Sequence, residues 1–220
     1  MGEGGDTTGA QKEARRLVHD LRQPLAAMQM WLDLLAEKLR GQVGEKEEHY
    51  LAKVRAEMAR MAALLTASAG GAAPAPGAPA VPAAGVPSEE GASLAGISLL
   101  VVEDDEMTAE ALQLALEGEG ATVVVADTLA AALEAFASAS PHGVLSDLKL
   151  SDGDGFMLVA EIRRRDAQAG RTTAALAVTG FDSAETRAQS RAAGFDDLVV
   201  KPFAISDLIA RMAGLVAAAR

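Results

Sequence analysis

Cysteine is absent from the 220-residue chain, which excludes disulfides, thiolate metal sites and cysteine nucleophiles. No apolar run approaches the roughly 20 residues that a membrane-spanning helix requires. Residues 1–10 are Gly-rich and lack the apolar core of a signal peptide. Basic charge is in deficit, with 20 Lys and Arg against 31 Asp and Glu, so the basic stripe expected of a nucleic-acid or anionic-membrane binder is missing. These absences lead us to expect a soluble cytoplasmic protein that binds neither nucleic acid nor membrane.

The imbalance is not evenly spread. Residues 1–70 carry 10 basic and 10 acidic side chains, whereas residues 88–220 carry 10 basic and 21 acidic, the whole net charge of −11. Between them the sequence collapses to Ala, Pro and Gly. Pro74, Pro76, Pro79, Pro82 and Pro87 are too closely spaced for a helix or a central strand. At about 3.1 Å per residue a polyproline-like linker over 70–93 reaches roughly 70 Å. The expected organisation is a disordered N-terminus (1–9), a helical unit (10–69), this linker (70–93) and a second unit (94–220).

In the helical unit, Leu17, Leu21, Pro24, Met28, Trp31 and Leu35 alternate at spacings of four and three, the period of a coiled-coil seam. Val18, Leu25, Leu32 and Leu39 widen that stripe. Gly41-Gln42-Val43-Gly44 interrupts it, and a second helix follows with Leu51, Val54, Met58, Met61 and Leu65 on one face. Two helices cannot cover so broad a stripe, and about sixty residues make a poor solitary core. A homodimer through residues 10–68, forming a four-helix bundle, is expected. His19 falls beside the seam, facing solvent, with Asp20 next to it and Pro24 set to kink the helix one turn on. A carboxylate beside an exposed imidazole favours one tautomer and leaves the other nitrogen nucleophilic.

The second unit alternates strands and helices, with chemistry at the strand ends. Leu99-Leu100-Val101-Val102 runs into Glu103-Asp104, Val144-Leu145-Ser146 into Asp147, residues 174–178 into Thr179, and Leu198-Val199-Val200 into Lys201-Pro202. In an open parallel sheet, ligands bind outside the carboxyl ends of the strands, so these residues converge on one crevice. Three carboxylates held together repel unless a cation sits among them, and an all-oxygen set suits Mg²⁺. A lysine and a hydroxyl facing that ion can take phosphoryl oxygens. Such a site places a phosphoryl group on a carboxylate, with Asp147 the acceptor.

These residues resemble the receiver domain of two-component response regulators over about residues 97–219. The resemblance implies an α/β doubly wound (βα)₅ fold with parallel order 2-1-3-4-5. It implies that Glu103, Asp104 and Asp147 help hold Mg²⁺, with the backbone carbonyl of Lys149 a further candidate for the metal. Asp147 is then phosphorylated, and Thr179 and Lys201 contact the phosphoryl oxygens. Two positions depart from the family pattern. Leu198 replaces the aromatic usual three residues before the lysine, which places the family's usual switch in question. Ser151 replaces a common proline, so the loop through Asp152-Gly153-Asp154-Gly155 is expected to be more flexible than usual. The run His19-Asp20-Leu21-Arg22-Gln23-Pro24-Leu25 resembles the phosphoacceptor box of sensor histidine kinase dimerisation domains. That likeness implies a phosphorylated His19 with Asp20 as general base. Gln23 stands where Thr or Asn is usual. His49 and His142 lack such a context and are expected at the surface.

No Gly-rich nucleotide loop or P-loop appears, so autonomous kinase activity is not expected. Three functions fit this pairing. One is a phosphorelay protein exchanging phosphoryl groups between His19 and Asp147, or with partner kinases, response regulators or phosphotransfer proteins. Another is a fragment of a hybrid histidine kinase lacking its ATP-binding domain. The last is a receiver with a non-catalytic helical dimerisation or docking module. No output domain is expected after the receiver.

Overall fold

The structure, a computed structural model, describes residues 21, 23–36, 38–39, 44, 51–56, 58–61, 64, 93–180 and 183–219. Two helical segments, α1 (23–36) and α2 (51–56 and 58–61), precede an α/β unit. There the order is β1 (Ser98–Val102), α3 (Glu106–Gly118), β2 (Thr122–Ala126), α4 (Leu129–Ala139), β3 (Gly143–Asp147), β4 (Lys149–Leu150), β5 (Gly153–Asp154), α5 (Gly155–Ala169), β6 (Ala174–Thr179), α6 (Ala184–Ala193), β7 (Asp197–Val200) and α7 (Ile205–Ala219). The five longer strands form one parallel sheet in the order β2-β1-β3-β6-β7. Counted among themselves they run 2-1-3-4-5, the expected doubly wound arrangement.

Strand alternation sorts the core into two layers. Leu99 and Val101 of β1, Leu145 of β3, and Leu176 and Val178 of β6 pack with Leu112 and Leu116 of α3 and Leu208 and Met212 of α7. The intervening residues face the other way. Leu100, Val102 and Val144 meet Phe136, Leu158 and Ile162, while Ala175 and Ala177 meet Leu148, Val159, Phe195 and Leu198. Strands buried on both faces read as continuous apolar runs, which is why the sheet was legible. The helices start on side-chain caps: Asp105, Thr128, Asp154 and Ser183 each accept a backbone N–H three residues on.

The loop after β3 differs from expectation. It closes as a two-residue antiparallel ribbon, Lys149 opposite Asp154 and Leu150 opposite Gly153. Asp152, expected in a flexible stretch, accepts from Leu129 N at 2.8 Å and Ala130 N at 3.3 Å, at the start of α4. Those bonds hold its carboxyl below the usual carboxylate range. Backbone groups 23 and 22 residues earlier in the chain thus anchor this loop to the start of α4.

The apolar stripe of α1 divides among different neighbours. Leu25 packs with Met58 of α2, with Leu32 alongside, and Asp33 pairs with Arg55 of α2 at 2.6 Å. Met30 is buried in the cluster formed by the sheet, α3 and α7, and Trp31 and Leu34 lie against that cluster. Leu21, Met28 and Leu35 stay 46%, 54% and 46% exposed. Trp31 therefore leaves the seam that its spacing suggested. Periodicity shows which residues are apolar, not which surface covers each one.

Candidate phosphoryl-acceptor site

Sheet register brings the predicted residues together. Val102 lies opposite Ser146, so Glu103 and Asp147 emerge side by side from β1 and β3. Asp147 lies opposite Val178 of β6, and Thr179 opposite Val200 of β7, so Thr179 and Lys201 follow one step further along. Lys201 N donates to Thr179 O at 2.7 Å. Glu103, Asp147, Thr179 and Lys201 are all buried, whereas Asp104 and Lys149 are exposed at the rim.

Lys201 spans the crevice. Its Nζ donates to Glu103 Oε2 at 2.6 Å and to Asp147 Oδ2 at 2.8 Å. The other carboxylate oxygen, Asp147 Oδ1, accepts from Lys149 N at 2.9 Å. Glu103 Oε1 is buried without a hydrogen-bond partner. Burial, above all, pushes the Glu103 carboxyl up to about 7; Lys201 draws it down, and the charges of Asp147 and Asp104 push it up. Asp104 is raised as well, first by partial burial and then by Asp147. Burial works against the Lys201 ammonium, but the two carboxylates outweigh it and its pKa rises.

Two supports of the site escaped the sequence reading. Ser146 Oγ donates to Asp147 O at 2.8 Å. Gly155 opens α5 so close to β3 that a Cβ there would stand 2.5 Å from Asp147 O and 3.1 Å from Ser146 Oγ. Only a residue without a side chain allows that approach. Asp154-Gly155, a helix cap followed by glycine, was the available signal. His19 and Asp20 lie outside the described residues. Of their segment, Gln23 is half-buried and Pro24 exposed on α1. His142 is exposed, its Nδ1 2.8 Å from Ser98 Oγ at the amino end of the sheet, away from Asp147. His49 also lies outside the described residues. Leu198 is buried among Leu148, Val159 and Phe195, filling its space as a core side chain.

The family model of the response regulator receiver domain matches residues 99–213. The chain belongs to the response regulator receiver family. The His Kinase A (phospho-acceptor) domain matches residues 10–67, so both segments are those of two-component phosphorelay signalling. An uncharacterised 14.6 kDa protein of Leptolyngbya boryana is 35% identical over 117 residues, covering 53% of this chain and 88% of that protein. The transcriptional regulatory protein PmrA of Pectobacterium parmentieri is 36% identical over 54% of this chain and 52% of its own length. The response regulator MprA of Mycobacterium ulcerans is 34% identical over 54% and 50%. The chain thus spans about half the length of these two regulators. Among solved structures, the receiver domain of the Francisella response regulator 1452 aligns with a TM-score of 0.52 at 25% identity, over 56% of this chain and 99% of that one. The non-phosphorylated HemR receiver domain of Leptospira biflexa gives 0.51 at 27%, over 56% and 97%. Among the described residues, no helix is long and apolar enough to cross a membrane.

Proposed function

We propose that this chain relays phosphoryl groups in the cytoplasm, with Asp147 as the aspartate station and His19 as the histidine station. The units are a phosphoacceptor hairpin (10–69) and a receiver (94–220) joined by the linker 70–93. The observation that carries the reading is the Lys201 bridge between Glu103 and Asp147, beside a buried Glu103 oxygen without a partner.

Among the described residues, no three His, Cys, Asp or Glu side chains already converge as a metal site. Lys201 instead balances two of the carboxylates. The donor set nevertheless fits Mg²⁺. It is all oxygen, and Glu103 Oε1 is an acceptor left over after the lysine is satisfied. Glu103, Asp104, Asp147 and the Lys149 carbonyl are the residues that would hold the ion. When bound, Mg²⁺ supplies positive charge against the phosphoryl oxygens.

Transfer from a phosphohistidine forms a bond between phosphorus and an Asp147 oxygen while the phosphorus–nitrogen bond breaks. The bonding pair returns to the imidazole. Asp147 Oδ2 becomes free to attack when Lys201 turns its ammonium toward the incoming phosphoryl oxygens, which also draw the Thr179 hydroxyl. Lys149 N keeps Oδ1 in place, so the acceptor attacks from a fixed orientation. Asp20 acts as base at the histidine station. A partner kinase, response regulator or phosphotransfer protein supplies or removes the phosphoryl group. The chain pairs through residues 10–68, where Leu21, Met28 and Leu35 leave an apolar column open. The net charge of −11 argues against a nucleic-acid partner.

The test is labelling by acetyl phosphate in wild type, Asp147→Ala and His19→Ala. We expect base-labile label in wild type and His19→Ala, none in Asp147→Ala or EDTA, and acid-labile label appearing later only where His19 is present. Undiminished labelling of Asp147→Ala would overturn the acceptor assignment. Label that never reaches His19 in wild type would reduce the hairpin to a docking module.

A further inference from the structure

The face of α1 opposite its open column is covered by the receiver of the same chain. Met30 is 1% exposed and belongs to the apolar cluster of β1, β3, β6, α3 and α7. Trp31 and Leu34 lie against that cluster, together with Leu215 and Ala219 of α7. Leu94, where the Ala/Pro/Gly segment ends, is fully buried in the same cluster. Around a helix, Met30 lies about 200° from Met28 and Leu34 about 240° from it, while Trp31, about 60° from Met28, stands at the border between the two columns. The exposed Leu21, Met28 and Leu35 thus form a different column from the one the receiver covers.

We propose that Met30, Trp31 and Leu34 are a docking seat for the receiver of the same chain, separate from the open column that meets a second copy. The hairpin then uses three adjoining strips of α1 at once. Leu25 and Leu32 face Met58 of α2, the open column faces a partner, and the Met30 column holds the receiver. Each receiver is held on the outer flank of α1 instead of swinging through the whole reach of its linker. Docking leaves the pairing column uncovered, so docking and self-association do not compete. This inference rests on the proposed pairing through residues 10–68 and not on phosphoryl transfer.

Trp31 is the only tryptophan of the chain, which makes the seat self-reporting. Its Nε1 is buried without a hydrogen-bond partner, and release from the receiver would expose it to water. The full chain and its Met30→Glu and Leu34→Glu variants are compared by tryptophan emission, acrylamide quenching, Stokes radius and sedimentation mass. A glutamate at either position puts charge into the apolar contact. We expect Trp31 emission to move to the red, quenching to rise and the Stokes radius to grow. Oligomeric mass and acetyl phosphate labelling of Asp147 stay at wild-type values, the latter showing an intact receiver. Emission and radius unchanged in both variants would overturn the seat. So would loss of oligomeric mass in both, because that would place Met30 and Leu34 in the pairing surface.

Discussion

Removing the buried Glu103 carboxylate should abolish most of the pH dependence of receiver stability in the absence of divalent cations. Glu103 is raised from 4.5 to about 7, chiefly by burial. The folded state therefore binds this proton more tightly than the unfolded chain. Between those two values it holds more protons, and stability falls as pH rises. At 1.36 kcal/mol per unit the full shift corresponds to about 3 kcal/mol, and integration from pH 5 to pH 8 captures about 2–3 kcal/mol of it. Asp104, also raised, adds a smaller slope of the same sign. The raised Lys201 acts above this window, while the lowered Asp152 and Glu161 act below it. Urea unfolding followed by circular dichroism in EDTA measures the effect. Wild type should lose about 2–3 kcal/mol from pH 5 to pH 8, and Glu103→Gln should keep only the minor part of that slope. Mg²⁺ at pH 8 should recover stability in wild type, since an ion that binds only the folded state stabilises it by mass action. Equal slopes in wild type and Glu103→Gln would refute the assignment of the strain to this carboxyl, as would a wild type that gains stability toward pH 8.

Gly155→Ala places a Cβ 2.5 Å from the Asp147 carbonyl oxygen, a backbone atom that cannot swing aside; we expect a loss of roughly 1–3 kcal/mol and weaker Asp147 labelling. Gly118→Ala, with nothing within 4 Å of the new methyl, is the control and should do neither. Leu21→Glu combined with Met28→Glu charges a column that is already half-exposed in the single chain. This double variant should sediment as a monomer with its receiver still labelled, and a persistent dimer would move the interface elsewhere.

The sheet and most of its site were readable because their signals are local and periodic. Buried parallel strands must be apolar on both faces, so a strand that ends in Asp147 or Thr179, or runs straight into Lys201, announces where the apolar environment stops and the crevice begins. The helix starts show their reason only in the structure, where Asp105, Asp154 and Ser183 cap the turns that follow them. Contacts between distant segments carry no such period. Asp152 looks like one more residue of a Gly-rich loop until α4 is folded beside it. Glu103 and Lys201 are 98 residues apart, and only the strand order lets one ammonium neutralise both Glu103 and Asp147. The need for glycine at 155 likewise comes from a backbone that arrives from β3. On α1 the heptad spacing marks Met28 and Leu35, which stay exposed, and passes over Met30 and Leu34, which pack against the receiver. Sequence thus determined the elements, their order and the residues at the strand ends. Tertiary structure decided which of those residues touch, because burial and charge pairing depend on surfaces that only folding brings together.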